Sequence, residues 1–167
     1  RMRSTMERAQ REAYDEVVGH FEAEAPACVF VDGPGGTGKT FLYRALLHAV
    51  RGEGRVALAC AWSGIAAVLL PGGRPCPSRF GLPVPMPRDE APSSIGAQSH
   101  RAEVLRQARL IVWDEAPMAP KEALQTVDAL LRDFTNDDRP FGGKILVIGG
   151  DFRQVLPVMP RSSRADV

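Results

Sequence analysis

Residues 28 to 40 read Cys28-Val-Phe-Val31-Asp32-Gly33-Pro34-Gly35-Gly36-Thr37-Gly38-Lys39-Thr40. A short apolar run passes directly into Gly-x-x-x-x-Gly-Lys-Thr, and beyond it Phe41, Leu42, Ala45, Leu46, Ala49 and Val50 recur at helical spacing as far as Arg51, with Gly52 placed to end the helix. Strand, glycine loop and helix in that order are the setting in which this pattern holds phosphate. The glycines let the backbone curl so that successive amides of Gly33, Pro34, Gly35, Gly36, Thr37 and Gly38 surround an anion wherever an N–H is present. The helix adds its positive end, Lys39 reaches the outer phosphates, and the Thr40 hydroxyl is suited to Mg²⁺. The plainer alternative is a glycine-rich turn, but background composition yields this string by chance only on the order of once in a hundred chains of this length. A nucleoside triphosphate site is therefore expected.

Working outward, the alternation of short apolar runs and amphipathic stretches continues. Arg55 to Cys60, Leu110 to Trp113 and Lys144 to Ile148 read as strands; Ser63 to Leu70 and about Pro120 to Phe134 read as helices. Residues 4 to 22 read as a flanking helix opened by a Ser4/Glu7 capping box, with Met6, Ala9, Ala13 and Val17 on one face. Apolar strands linked through helices imply an α/β fold with a parallel sheet covered on both faces. Seven of the 14 prolines fall between Pro71 and Pro92, so residues 71–99 are expected to form one long irregular segment.

Composition narrows the classes. With 167 residues and 44% apolar content, a single domain with a real core is expected without disulfides or a structural metal. No apolar run approaches the roughly 20 residues a membrane helix needs, so no membrane partner is expected. Cys28, Cys60 and Cys76 are scattered and odd in number, which suits a reducing, intracellular setting. A net charge of +1 provides no long-range field for polyanions, so nucleic-acid contact must rest on a local patch or on backbone donors. The chain begins at Arg1 rather than Met, which suggests a piece of something longer.

Two further stretches carry chemistry. The strand Leu110 to Trp113 ends in Asp114-Glu115, where parallel strands present ligands. Asp114 is expected at the metal and Glu115 at the attacking water, a division of labour that favours hydrolysis over small-molecule phosphorylation. The last strand runs into Gly149-Gly150-Asp151-Phe152-Arg153-Gln154, whose glycines permit close backbone approach and whose Gln154 is a candidate sensor of the terminal phosphate.

Gly33 to Thr40, Ser63-Gly-Ile-Ala-Ala67, Ile111-Val-Trp-Asp-Glu-Ala-Pro117 and Gly149-Gly-Asp-Phe-Arg-Gln-Val-Leu-Pro157 together closely resemble motifs I, Ia, II and III of the Pif-one-like DNA helicases of superfamily one. The wording of the last two is similar to the branch that includes Helitron-transposon helicases. The likeness runs from about Met6 to Asp166. It implies that residues 1–167 form a single N-terminal RecA-like P-loop ATPase domain of an ATP- and Mg²⁺-dependent motor on single-stranded DNA. Such motors usually move from 5′ toward 3′ and act in DNA repair, recombination, telomere and genome maintenance, or transposition, in the nucleus or mitochondrion where the source is eukaryotic.

Carried over to this chain, the resemblance places Lys39, Glu115 and Gln154 in catalysis, Thr40 and Asp114 at the metal, and Gln10 at the adenine. Ser63 and Gly64 fall on the DNA backbone. Where relatives read Gly-Gly-Arg-Thr-Ala-His-Ser-Arg-Phe, this chain has Gly72-Gly-Arg74-Pro75-Cys76-Pro77-Ser78-Arg79-Phe80, so contact there is left to Arg74, Ser78 and Arg79. Phe80 is either a base-stacking ring or a buried anchor for the loop. The resemblance further implies that the strand ending at Gly149 lies between the phosphate-loop strand and the strand ending at Trp113.

Such helicases close ATP against a second RecA-like domain of the same parent chain, which supplies arginines and has no counterpart here. Since an arginine of this kind is worth about 10³ to 10⁵ in rate, the isolated chain is expected to bind nucleotide and turn it over slowly. Two other readings remain open: a nucleotide-gated DNA-binding module or transposon remnant without productive hydrolysis, and a small-molecule kinase.

Overall fold

A computed structural model describes residues 2–87, 91–151 and 153. Five parallel strands, β1 (Ala27–Asp32), β2 (Val56–Ala61), β3 (Arg74–Pro75), β4 (Ala108–Asp114) and β5 (Ile145–Gly150), form one sheet in the order β1-β5-β4-β2-β3. The expected placement of β5 between β1 and β4 is thus what the chain adopts.

The central strands are buried on both faces, and their alternate residues feed two separate cores. Ala57, Ala59, Leu110, Val112, Ile145 and Val147 meet α1 (Arg8–Glu22) and α2 (Lys39–Gly52) through Val17, Leu42, Tyr43, Leu46 and Val50. Leu58, Cys60, Ile111, Trp113 and Leu146 meet α4 (Cys76–Phe80), α5 (His100–Gln107) and α6 (Lys121–Thr135) through Phe80, Leu105, Val127 and Leu131. This is the period of two that a parallel sheet imposes when helices cover it on both sides. Beneath the α6 side, buried Lys144 donates to the carbonyls of Arg106 and Ala108 at 2.9 and 2.8 Å, and burial pushes its pKa down to about 8.

The structure corrects two expectations. The first helix begins at Arg8 rather than at residue 4, because the capping box is Glu7 with Gln10: the Glu7 amide donates to Gln10 Oε1 at 3.2 Å, and Ser4 falls in a preceding 3₁₀ turn. As expected, Gly52 ends α2 as its last residue, and Gly54, at φ +71°, makes the left-handed turn that follows.

Finally, the proline-rich stretch is not wholly irregular, since it holds β3 and α4. Pro75 is the N-cap of α4 and Pro77 lies in its first turn, where a helix has no partner for an N–H in any case, so neither proline interrupts the ladder. Phe80 is fully buried and stacked on Trp113 with centroids 5.8 Å apart, which makes it an anchor and not a platform for bases.

Candidate nucleotide and nucleic-acid site

Every motif singled out above, as far as it is described, lies at the carboxyl end of a strand, because the chain leaves β1, β2, β4 and β5 on the same edge of the sheet. There a cleft of about 410 Å³ is lined by Gly35, Gly36, Gly38, Lys39 and Thr40 from the glycine loop and α2, and by Asp114 and Glu115 after β4. The two clusters required to act on one phosphoryl group therefore face a common space.

Within the loop, Gly36 and Gly38 have φ of +82° and +77°, a region that disfavours most side chains. The Lys39 ammonium folds back onto the loop, donating to the carbonyls of Gly33 and Pro34, the latter at 3.0 Å. Thr37 Oγ1 donates to Pro34 O at 2.9 Å, closing the curl. Gln10 reaches the loop from α1, its Nε2 donating to Thr37 O at 3.0 Å, and a Cβ on Gly38 would collide with that amide. Gln10 thus stands directly beside the loop.

Opposite, Asp114 Oδ1 accepts the Glu115 amide at 2.9 Å. Burial holds the Asp114 carboxyl above the usual range, partly offset by that amide and by the Lys39 ammonium. Glu115 occupies the left-handed region at φ +55°, and its Oε2 accepts a hydrogen bond from Ser63 Oγ at 2.8 Å. Thr40 and Asp114 offer a hydroxyl and a carboxylate oxygen, the hard donors that Mg²⁺ takes when phosphate and water complete its shell. Among the described residues, no cluster of three or more His, Cys, Asp and Glu side chains forms a metal cage.

The candidates for nucleic-acid contact divide. Ser63 is the N-cap of α3 (Gly64–Val68), accepting the Ala66 amide at 3.2 Å, and Gly64 and Arg74 are exposed beside it on neighbouring elements. Ser78 is exposed on α4, while its carbonyl accepts from Arg101. Arg79 departs from the expectation: its guanidinium is committed to the carbonyls of Ala59 and Gly72 at 3.1 and 2.7 Å, tying α4 to β2. Gln154 lies outside the described residues. Arg153 is exposed and paired with Asp151 at 3.3 Å.

The sequence reading passed over two residues of this region. Asp151 lines the cleft at the end of β5, and the strand-end rule that singled out Asp114 applies to it equally. Tyr43, one helical turn after Lys39, is fully buried against Gly149; the spacing of four residues was the available signal. Its hydroxyl lies against Asp114, and burial together with that carboxylate pushes the phenol pKa up.

Comparison with known proteins gives a consistent answer. The family profile described as PIF1-like helicase matches residues 5–167. The chain is 34% identical over 137 residues to the ATP-dependent DNA helicase Pif1 of Bdellovibrio bacteriovorus, covering 81% of this chain and 30% of that protein. Against the human ATP-dependent DNA helicase PIF1 the identity is 31% over 134 residues, covering 78% and 20%. Among solved structures, Bacteroides Pif1 in complex with ADP-AlF3 and ssDNA superposes with a TM-score of 0.74 at 29% identity, covering 93% of this chain and 35% of that one. The chain thus spans under a third of these two relatives and about a third of the solved structure.

Proposed function

Because the chain belongs to the PIF1-like helicase family, we propose that it is the nucleotide-binding motor domain of an ATP-dependent DNA helicase that moves along single-stranded DNA. The observation that carries this reading is the shared cleft, which sets the Gly33 to Thr40 loop opposite Asp114 and Glu115. In it, the loop amides take the β- and γ-phosphates, and the Lys39 ammonium exchanges the Gly33 and Pro34 carbonyls for phosphate oxygens. Thr40 and Asp114 would hold Mg²⁺, which would neutralise charge on the phosphates. Glu115 orients the attacking water and takes its proton as the water oxygen bonds to the γ-phosphorus and the bond to the ADP oxygen breaks. Gln10 reads the base, and Gln154 contacts the terminal phosphate.

Ser63, Gly64 and Arg74 supply this domain's part of the DNA track, and a second RecA-like domain completes both track and catalytic site. The expected 5′-to-3′ movement, roles in repair, recombination, genome maintenance or transposition, a nuclear or mitochondrial setting and the Helitron-type affiliation belong to the same proposal. Among the described residues, no helix is long and apolar enough to cross a membrane.

The test is steady-state ATP hydrolysis by the full-length protein with and without single-stranded DNA. Turnover rising severalfold with DNA is the expected result. Nucleotide binding without DNA-stimulated turnover would replace the motor by a DNA-binding module, and phosphate transfer to a nucleoside would replace it by a kinase.

A further inference from the structure

Parallel pairing of β2 with β4 sets Ala61 beside Asp114. Ser63, two residues past Ala61, and Glu115, one past Asp114, therefore leave the sheet side by side. Ser63 Oγ has one hydrogen and makes two bonds: it accepts the Ala66 amide at 3.2 Å, and it donates to Glu115 Oε2 at 2.8 Å. The acceptor role is fixed by capping α3, so the single hydrogen is directed at the carboxylate. We infer that Ser63 is a positioning residue for Glu115: its hydroxyl restrains the carboxylate while the DNA track is empty and releases it when DNA arrives.

This inference rests on the reading above, which places Glu115 at the attacking water and Ser63 on the DNA backbone. The coupling then follows from counting protons. One hydroxyl hydrogen cannot serve two anions at full strength, so a backbone phosphate that takes it frees Glu115. Glu115 has no other side-chain hydrogen bond among the described residues, and its backbone is already fixed in the left-handed region at φ +55°, with its amide on Asp114 and its carbonyl accepting from Met118. Loss of the Ser63 bond therefore changes the side chain's freedom to turn toward the phosphates and leaves its anchorage in place. The exchange is reciprocal: whatever draws Glu115 toward the γ-phosphate leaves the Ser63 hydroxyl available to DNA.

The experiment measures kcat and KM for ATP in the full-length protein, without DNA and at saturating oligo(dT), for the parent, Ser63→Ala, Ser63→Gly and Ser63→Thr. Glycine is included because it caps a helix nearly as well as serine, which separates loss of the hydroxyl from loss of the cap. Ser63→Ala and Ser63→Gly should both raise the DNA-free kcat by roughly tenfold, the effect of losing one hydrogen bond to a charged group, with KM for ATP unchanged. Stimulation by DNA should shrink correspondingly. Ser63→Thr, which keeps the hydroxyl, should restore the parent's low DNA-free rate. A DNA-free kcat that is unchanged or lowered in both hydroxyl-free variants would overturn the inference, as would an equal rise with and without DNA. A parent protein that oligo(dT) does not stimulate would overturn the helicase reading itself, so the two failures are distinguishable.

Discussion

Asp114 shows what the site costs the fold at the level of one side chain. Burial disfavours its charged form, so its folded pKa stands above the unfolded value. A carboxyl shifted upward contributes its full stability below its unfolded pKa of about 4 and loses it as pH rises through the folded value. At neutral pH the nucleotide-free fold therefore carries a carboxylate that it would be more stable without. Asp114→Asn keeps an oxygen to accept the Glu115 amide and removes the charge. Thermal unfolding of the nucleotide-free protein should show a higher Tm for this variant than for the parent at pH 7, with the advantage fading as pH approaches 4. An equal or lower Tm at pH 7 would mean that the loop and Lys39 already compensate the charge. Asp114, Glu115 and Lys39 were legible in the sequence because strand-end acids and the glycine motif are local patterns. The role of Ser63 was not, because its hydrogen bond spans 52 residues and depends on strand register.

Between elements, α2 and β5 approach so closely that only glycine fits at the contact. A Cβ on Gly149 would overlap the Tyr43 hydroxyl, and one on Gly150 would overlap the Pro117 ring. Gly149→Ala should thus destabilise by about 1–3 kcal/mol through overpacking. Adding Tyr43→Phe should recover part of that loss, since it removes the colliding oxygen. Chemical denaturation of the two single variants and the double variant checks this as a coupling energy, and strict additivity would contradict the contact. Pairs of elements also show where sequence reading fails. α4 went unrecognised because three of the six residues from Arg74 to Arg79 are Pro or Cys, yet its prolines occupy the N-cap and first turn. Arg79 was nominated for DNA contact by a motif position, whereas β2 and the turn at Gly72 claim its guanidinium.

Across the whole molecule, two cores on opposite faces of one sheet hold the strand ends rigidly in a row, and the chemistry lies along that row. Periodicity disclosed the four longer strands and the main helices, because burial on both faces writes continuous apolar runs. Their lateral order was legible only through family resemblance, since spacing along a chain does not specify which strand lies beside which. That order places β5 between the phosphate loop and the acidic pair, so that the nucleotide, the metal donors and the strand end share one cleft.

The claim that these groups act on one γ-phosphoryl group is tested most directly by Glu115→Gln, with ATP binding and single-turnover hydrolysis measured on the same full-length protein. Affinity for ATP should stay within about twofold of the parent while hydrolysis slows by at least about 10²-fold, the scale expected for loss of a general base. Hydrolysis at the parent's rate would remove Glu115 from the mechanism and, with it, the joint action of loop and acidic pair on one γ-phosphoryl group.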